Sequence, residues 1–233
     1  IAPSHIETFG SLENVQAGKR ELFEHVAQGG IAFVPVNDAR CVTASSECKV
    51  RIGYGFDPKT KDWESAYVRG EGLVFDEEAC AQFVVYGTAI QLSVPGRPAA
   101  QAALAAMTIA LQHGIPAQNA AQNISRAIPT GGRANIRKIG RLTIIDDSYN
   151  ASPASMRSAL ETLSLRQHSR KIAILGDMLE LGDYSDSAHR EIVGELDRAG
   201  VALAVLIGPR FSHVAAASFV NAQLRIFPSV DQA

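Results

Sequence analysis

Apolar residues keep two different spacings along this chain. From Leu12 to Gln28, Val15, Leu22, Phe23 and Val26 recur at helical intervals, which predicts one amphipathic helix buried along that stripe. Ser11 stands where an N-cap belongs, and Gly29-Gly30 where a helix would end. Ile31-Ala32-Phe33-Val34 reads as a strand followed by a turn at Asn37-Asp38. Between Lys49 and Val94 the period shortens to two. The segments VRIGYG, SAYVRG, GLVFD, QFVVYG and AIQLSV, parted by glycines and charged turns, predict an antiparallel β layer with a hairpin at Gly70-Glu71-Gly72. Trp63 lies in a polar stretch and takes no role from the pattern. After Pro95-Gly96 the helical period returns. Leu104, Met107 and Leu111 predict a helix over Ala99–His113, and another follows over Ala117–Ile128.

Pro129-Thr130-Gly131-Gly132 reads as a linker, which divides the chain into residues 1–130 and 131–233. Beyond it, strands at 142–146, 171–175 and 203–207 alternate with helices at 153–165, 185–199 and 210–219, before an apolar patch at 224–227. Strands spaced by helices predict an α/β fold with a Rossmann-like parallel sheet and right-handed crossovers.

The chain has 233 residues, of which 46% are apolar, with 22 basic and 24 acidic side chains and a net charge of -2. That balance argues against nucleic acid or an anionic membrane as the main partner. Three cysteines, Cys41, Cys48 and Cys80, lack metal-ligand spacing and leave an odd count, which points to a reducing cytoplasm. Ile1 is not an initiator and no leader follows, so the chain reads as a piece of something longer.

Candidate chemistry concentrates in Gly140–Leu163. The apolar run Leu142–Ile145 reads as a buried strand that delivers Asp146 and Asp147 to its carboxyl end. The turn Ser148–Ser152 then leads to a helix with Ser152 as N-cap and Pro153 in its first turn. In open α/β sheets this edge is where ligands bind. Gly176–Gly182 (GDMLELG) follows the strand KIAIL, and two such loops on neighbouring strands would line one crevice. Neither phosphate-loop glycine pattern, G-x-x-x-x-G-K-[ST] or G-x-G-x-x-G, is present. Nothing places the six histidines beside a nucleophile. His25, His113, His168 and His213 read as solvated or packed residues.

DDSYNASPASM followed by GDMLELG resembles the carboxy-terminal domain of the Mur ligases, and IAPSHIETFGSLENVQAGKRELFE resembles the second half of that family's central ATPase domain. The resemblance covers nearly the whole chain. It implies part of an ATPase-type α/β domain with an antiparallel layer, then a Rossmann-like domain truncated at its end, with the phosphate loop lying earlier. The implied activity is ATP- and Mg²⁺-dependent amide ligation in peptidoglycan synthesis: a cytoplasmic, monomeric enzyme joins D-alanyl-D-alanine to UDP-N-acetylmuramoyl-tripeptide through an acyl phosphate. By position, His5 matches the family's Mg²⁺-binding histidine and Lys19 its carbamylated lysine, which sits here near the apolar stripe. Arg133 matches the arginine that reaches the ATP phosphates, Asp147 the acid on the ribose, and Tyr149 and Asn150 line the same cleft. One departure concerns adenine. The family's P-G-x-H-N-x-x-N-A is replaced by Pro95–Ala103, with Pro98, Ala99 and Ala102 at the histidine and asparagine positions and Gln101 as a substitute contact. Pro35 also stands where the family often has asparagine. Two rival readings are a non-catalytic Mur-like interaction protein and an NAD-dependent Rossmann oxidoreductase, the second lacking its glycine fingerprint.

Overall fold

A computed structural model describes the chain except for residues 2–5, 27, 58–62, 64–65, 130, 168–169 and 216–219. Two compact units emerge: residues 1, 13–76 and 80–129, and residues 2–12, 77–79 and 130–233. The fold is mixed α/β, with parallel and antiparallel sheets. No helix among the described residues is long and apolar enough to cross a membrane.

Element order begins with α1 (Ile6–Phe9), α2 (Leu12–Val26), β1 (Ile31–Pro35), α3 (Ala39–Ala44), β2 (Val50–Gly55) and β3 (Ala66–Arg69). Next come β4 (Glu71–Phe75), β5 (Cys80–Val85), β6 (Thr88–Pro95), α4 (Arg97–Gln112) and α5 (Ala117–Ser125). The second half holds β7 (Asn135–Ile139), β8 (Leu142–Asp146), α6 (Pro153–Leu165), β9 (Lys171–Gly176), α7 (Ser185–Arg198), β10 (Val201–Ile207), α8 (Pro209–Ala215) and β11 (Gln223–Phe227).

In the first unit β1, β2 and β3 form a parallel sheet, and β4, β5 and β6 an antiparallel one. VRIGYG and AYVR therefore do not belong to the antiparallel layer, and Gly70-Glu71-Gly72 joins two sheets instead of closing a hairpin. Both kinds of sheet produce the same local alternation, so the spacing of two cannot tell them apart. α4 covers both sheets through Ala100, Ala103, Leu104 and Met107, which are packed with Ile52, Phe83, Val85 and Ile90. Trp63 is a core residue: it is 2% exposed, its indole N–H donates to the Ala66 carbonyl at 3.1 Å, and it packs with Val34 and Val36. The α2 stripe is narrower than the sequence predicts. Val15 is buried and Phe23 and Val26 are half-buried, while Leu22 is 68% exposed.

In the second unit β9, β10 and β11 form a parallel sheet in the order β11-β10-β9. α7 and α8 pack on it through Ala188, Ile192, Leu196, Phe211 and Val214. β8 departs from expectation: it pairs antiparallel with β7, Asn135 opposite Asp146 and Ile139 opposite Leu142. It is also not a buried strand, since Leu142 is 63% exposed. The alternating run Asn135–Ile139, followed by Gly140-Arg141, is a hairpin signal that explains this pairing.

Candidate functional site

The segment before β7 and the loop between β8 and α6 hold most of the predicted residues. Asp146 ends β8 as a turn-former. Its Oδ1 accepts from the Ser148 hydroxyl at 2.6 Å and amide at 3.3 Å, and its Oδ2 from Arg137 at 3.3 Å. The Ser148 hydroxyl and amide, with Arg137 beyond, hold its carboxyl below the ordinary carboxylate range. Asp147 points the other way along the chain. Its Oδ1 accepts from the Ala134 amide at 3.1 Å, and among the described residues no hydrogen bond to Oδ2 accompanies it. The Asn150 side-chain oxygen accepts from the Ala151 amide at 2.9 Å. Ser152 caps α6 as predicted, in a reciprocal capping box with Ser155.

Residues 131–134 wrap around this loop. The Tyr149 amide donates to the Gly132 carbonyl at 2.9 Å. Gly132 has φ +70°, and a Cβ there would sit 3.1 Å from the Tyr149 nitrogen, so both conformation and space ask for glycine. Ala134 also occupies the left-handed region, at φ 50°. The wrap lays the Arg133 guanidinium over the Tyr149 ring, 4.2 Å from its centroid. Arg133, Asp147, Tyr149 and Asn150, scattered over eighteen positions, are thus brought into one exposed loop cluster.

The GDMLELG loop is not on a neighbouring strand of the same sheet, because β8 and β9 are not paired. Its acid is structural. Asp177 accepts from the Arg210 and Phe211 amides, both at 2.9 Å, at the start of α8. Gly208 leaves it room, since a Cβ there would fall 2.3 Å from Asp177 Cγ. His189, a residue the sequence reading passed over, is fully buried beneath this loop. Its Nε2 accepts from the Met178 amide at 3.1 Å, and its Nδ1 faces the Ser185 carbonyl at 2.7 Å. An amide can only donate and a carbonyl only accept, so the ring proton sits on Nδ1. The i, i+4 spacing of Ser185 and His189 on a helix was the available signal. The Glu180 carbonyl, on a left-handed residue at φ 61°, accepts from the Glu7 amide at 3.1 Å.

His5 lies outside the described residues. Lys19 is exposed on α2, away from the burial expected near the stripe. Among the described residues no group of three histidine, cysteine, aspartate or glutamate side chains is placed to hold a metal ion. His25, His113 and His213 are exposed, as expected of solvated residues, and His168 lies outside the described residues. Gln101 is exposed in the second turn of α4 and Ala99 is half-buried. A cleft of about 470 Å³ opens elsewhere in the first unit, between the outer face of the antiparallel sheet and α5. Gln82, Gln91, Gln118, Gln122 and Arg126 line it, and it contains none of the predicted residues.

Residues 1–110 match the Mur ligase middle domain, and residues 132–233 match the family described as Mur ligase, glutamate ligase domain. The UDP-N-acetylmuramoyl-tripeptide–D-alanyl-D-alanine ligase of Bacillus subtilis is 30% identical over 198 residues, 82% of this chain and 41% of that protein. Its Treponema pallidum counterpart is 32% identical over 216 residues, 91% of this chain and 44% of that protein. A crystal structure of MurF from Acinetobacter baumannii superposes with a TM-score of 0.83 at 26% identity, covering 97% of this chain and 49% of that one. The chain spans less than half the length of each of these relatives.

Proposed function

Because this chain belongs to the Mur ligase family, we propose that it forms part of an ATP-dependent amide ligase of peptidoglycan synthesis, one that joins D-alanyl-D-alanine to UDP-N-acetylmuramoyl-tripeptide. In this reading residues 1–130 are the later part of the central ATP-binding domain and residues 131–233 most of the carboxy-terminal domain, in a cytoplasmic enzyme. The observation that carries it is the match of both family patterns, in order, together with two relatives of the same named activity at 30% and 32% identity.

ATP supplies a phosphoryl group to the tripeptide carboxylate; the D-alanyl-D-alanine amine attacks the acyl phosphate, and phosphate leaves. Transfer of this kind depends mostly on positioning and charge neutralisation. Arg133 is suited to neutralising phosphate oxygens, since it is an exposed guanidinium whose carbon lies over the Tyr149 ring. Asp147, with Oδ1 engaged by Ala134, has Oδ2 left to accept from a ribose hydroxyl. Tyr149 and Asn150 border the same space. His5 and Lys19 are the residues that would face Mg²⁺ in this reading.

A second reading, a Mur-like module that does not turn over, draws on the α4 start, where Pro98, Ala99 and Ala102 replace the family's adenine-facing residues. One experiment separates the two. Residues 1–233 replace the matching segment of the Bacillus subtilis ligase, and phosphate release is measured with ATP, UDP-N-acetylmuramoyl-tripeptide and D-alanyl-D-alanine. Release that requires all three supports the ligase. A folded chimera that stays at background supports the non-catalytic module.

A further inference from the structure

We propose that Tyr149 is a positioning residue, whose ring is the platform that turns Arg133 into a preorganised fork for an anion. The guanidinium carbon lies 4.2 Å from the ring centroid, at stacking distance. Stacking uses the face of a guanidinium and leaves its N–H groups directed outward in the plane, where bidentate contacts to phosphate oxygens are made. No carboxylate among the described residues forms an ion pair with Arg133, so none of those carboxylates competes for its donors.

The backbone makes the platform stiff. The Tyr149 amide is tied to the Gly132 carbonyl at 2.9 Å, and the Asp147 carboxylate to the Ala134 amide at 3.1 Å, one bond on each side of Arg133. Gly132 at φ +70°, with the Tyr149 backbone 3.1 Å from where its Cβ would be, allows the two strands of chain to approach this closely. An exposed arginine otherwise samples many rotamers, and that freedom is lost when it binds. A stacked arginine has lost part of it already, which raises affinity without adding a contact to the ligand. That the anion is a nucleotide phosphate rests on the function proposed above; the stacking itself does not.

The test has two arms. In the 233-residue chain, the Arg133 Nε–H proton resonance should be shifted upfield by the ring current. Tyr149→Leu should return it to the position of the other exposed arginines, and Tyr149→Phe should not. Melting should shift little in either variant, because the side chain is exposed and the backbone hydrogen bond from Tyr149 to Gly132 is kept. In the chimera, Tyr149→Leu should raise KM for ATP about two- to fivefold, the range of one exposed cation–π pair. KM for D-alanyl-D-alanine should not move, Tyr149→Phe should recover most of the difference, and Tyr149→Leu should add nothing in an Arg133→Ala background. If Arg133→Ala leaves KM for ATP unchanged, the phosphate role of Arg133 falls and takes the platform's purpose with it, even where the resonance shift persists. If Arg133→Ala weakens ATP but Tyr149→Leu does not, the platform alone is wrong. Fully additive losses, or a Tyr149→Phe that behaves like Tyr149→Leu, overturn it equally.

Discussion

Asp146 and Asp147 are adjacent in sequence and differ in use. Asp146 spends both oxygens on Ser148 and Arg137, whereas Asp147 spends one on the Ala134 amide. Asp147→Ala should therefore show two effects. Loss of the bond to Ala134 should cost about 0.5–1.5 kcal/mol of stability in the 233-residue chain, measured by urea unfolding. In the chimera, ATP binding should weaken by about tenfold or more, the value of a hydrogen bond to a charged group. Asp147→Asn keeps an acceptor for Ala134 and should restore stability but not full ATP affinity. Normal ATP affinity in Asp147→Ala would leave this residue with the turn alone. His189 carries its weight in the interior. His189→Leu leaves the Met178 amide without an acceptor in a buried site, and should cost about 1–3 kcal/mol in the same unfolding measurement.

At the scale of elements, the loop cluster depends on how two short segments are held. Gly132→Ala forces a side chain into the left-handed region and against the Tyr149 backbone. The left-handed conformation alone costs about 1–2 kcal/mol, so the wrap should open and melting should fall. The same substitution should remove the ring-current shift of Arg133, because the stack depends on the wrap. Ser152→Ala removes the α6 cap and half of the capping box, at a cost of about 1 kcal/mol, without disturbing the stack. A Ser152→Ala variant that also lost the Arg133 shift would tie the stack to α6 instead of to residues 131–134.

For the whole molecule, the second unit should weaken in acid. Arg166 is buried, and its guanidinium donates to the Glu78 carbonyl at 2.8 Å and to the Glu78 carboxylate. Lys138 reaches the same carboxylate at 3.2 Å. Partial burial pushes the Glu78 carboxyl up, but the hydrogen bonds from Lys138 and Arg166 outweigh it and hold the carboxyl below its ordinary value of 4.5. A carboxyl lowered by folding contributes stability that is complete above its unfolded value and is lost as pH falls through its folded one. Melting temperature should therefore drop as pH is taken below about 4.5, and Glu78→Gln should flatten that limb. An unchanged acid limb in Glu78→Gln would assign it to other carboxylates. The 233-residue chain alone should release no phosphate from ATP above background, because backbone amides of a phosphate loop are absent from its sequence. Turnover by the isolated chain would move the phosphate site into residues 1–233.

The sequence by itself determined what depends on local chemistry. Helix periods at α4, α6 and α7, the Ser152 cap with Pro153, and the motifs around Asp147 and Gly176 were legible because helices and caps are built from neighbours in the chain. Tertiary structure decided partners. Alternation marked β2 and β3 as strands but could not say that they join β1 in one parallel sheet, since register is fixed by residues distant in sequence. It also buried Trp63 from a polar stretch, left Leu22 and Leu142 in solvent, and gave Asp177 to the start of α8 instead of to a cleft. The meeting of Arg133 with Tyr149 is of the same kind. Sixteen positions apart, they touch only because Gly132 lets the backbone turn back on itself, and that approach exists in three dimensions alone.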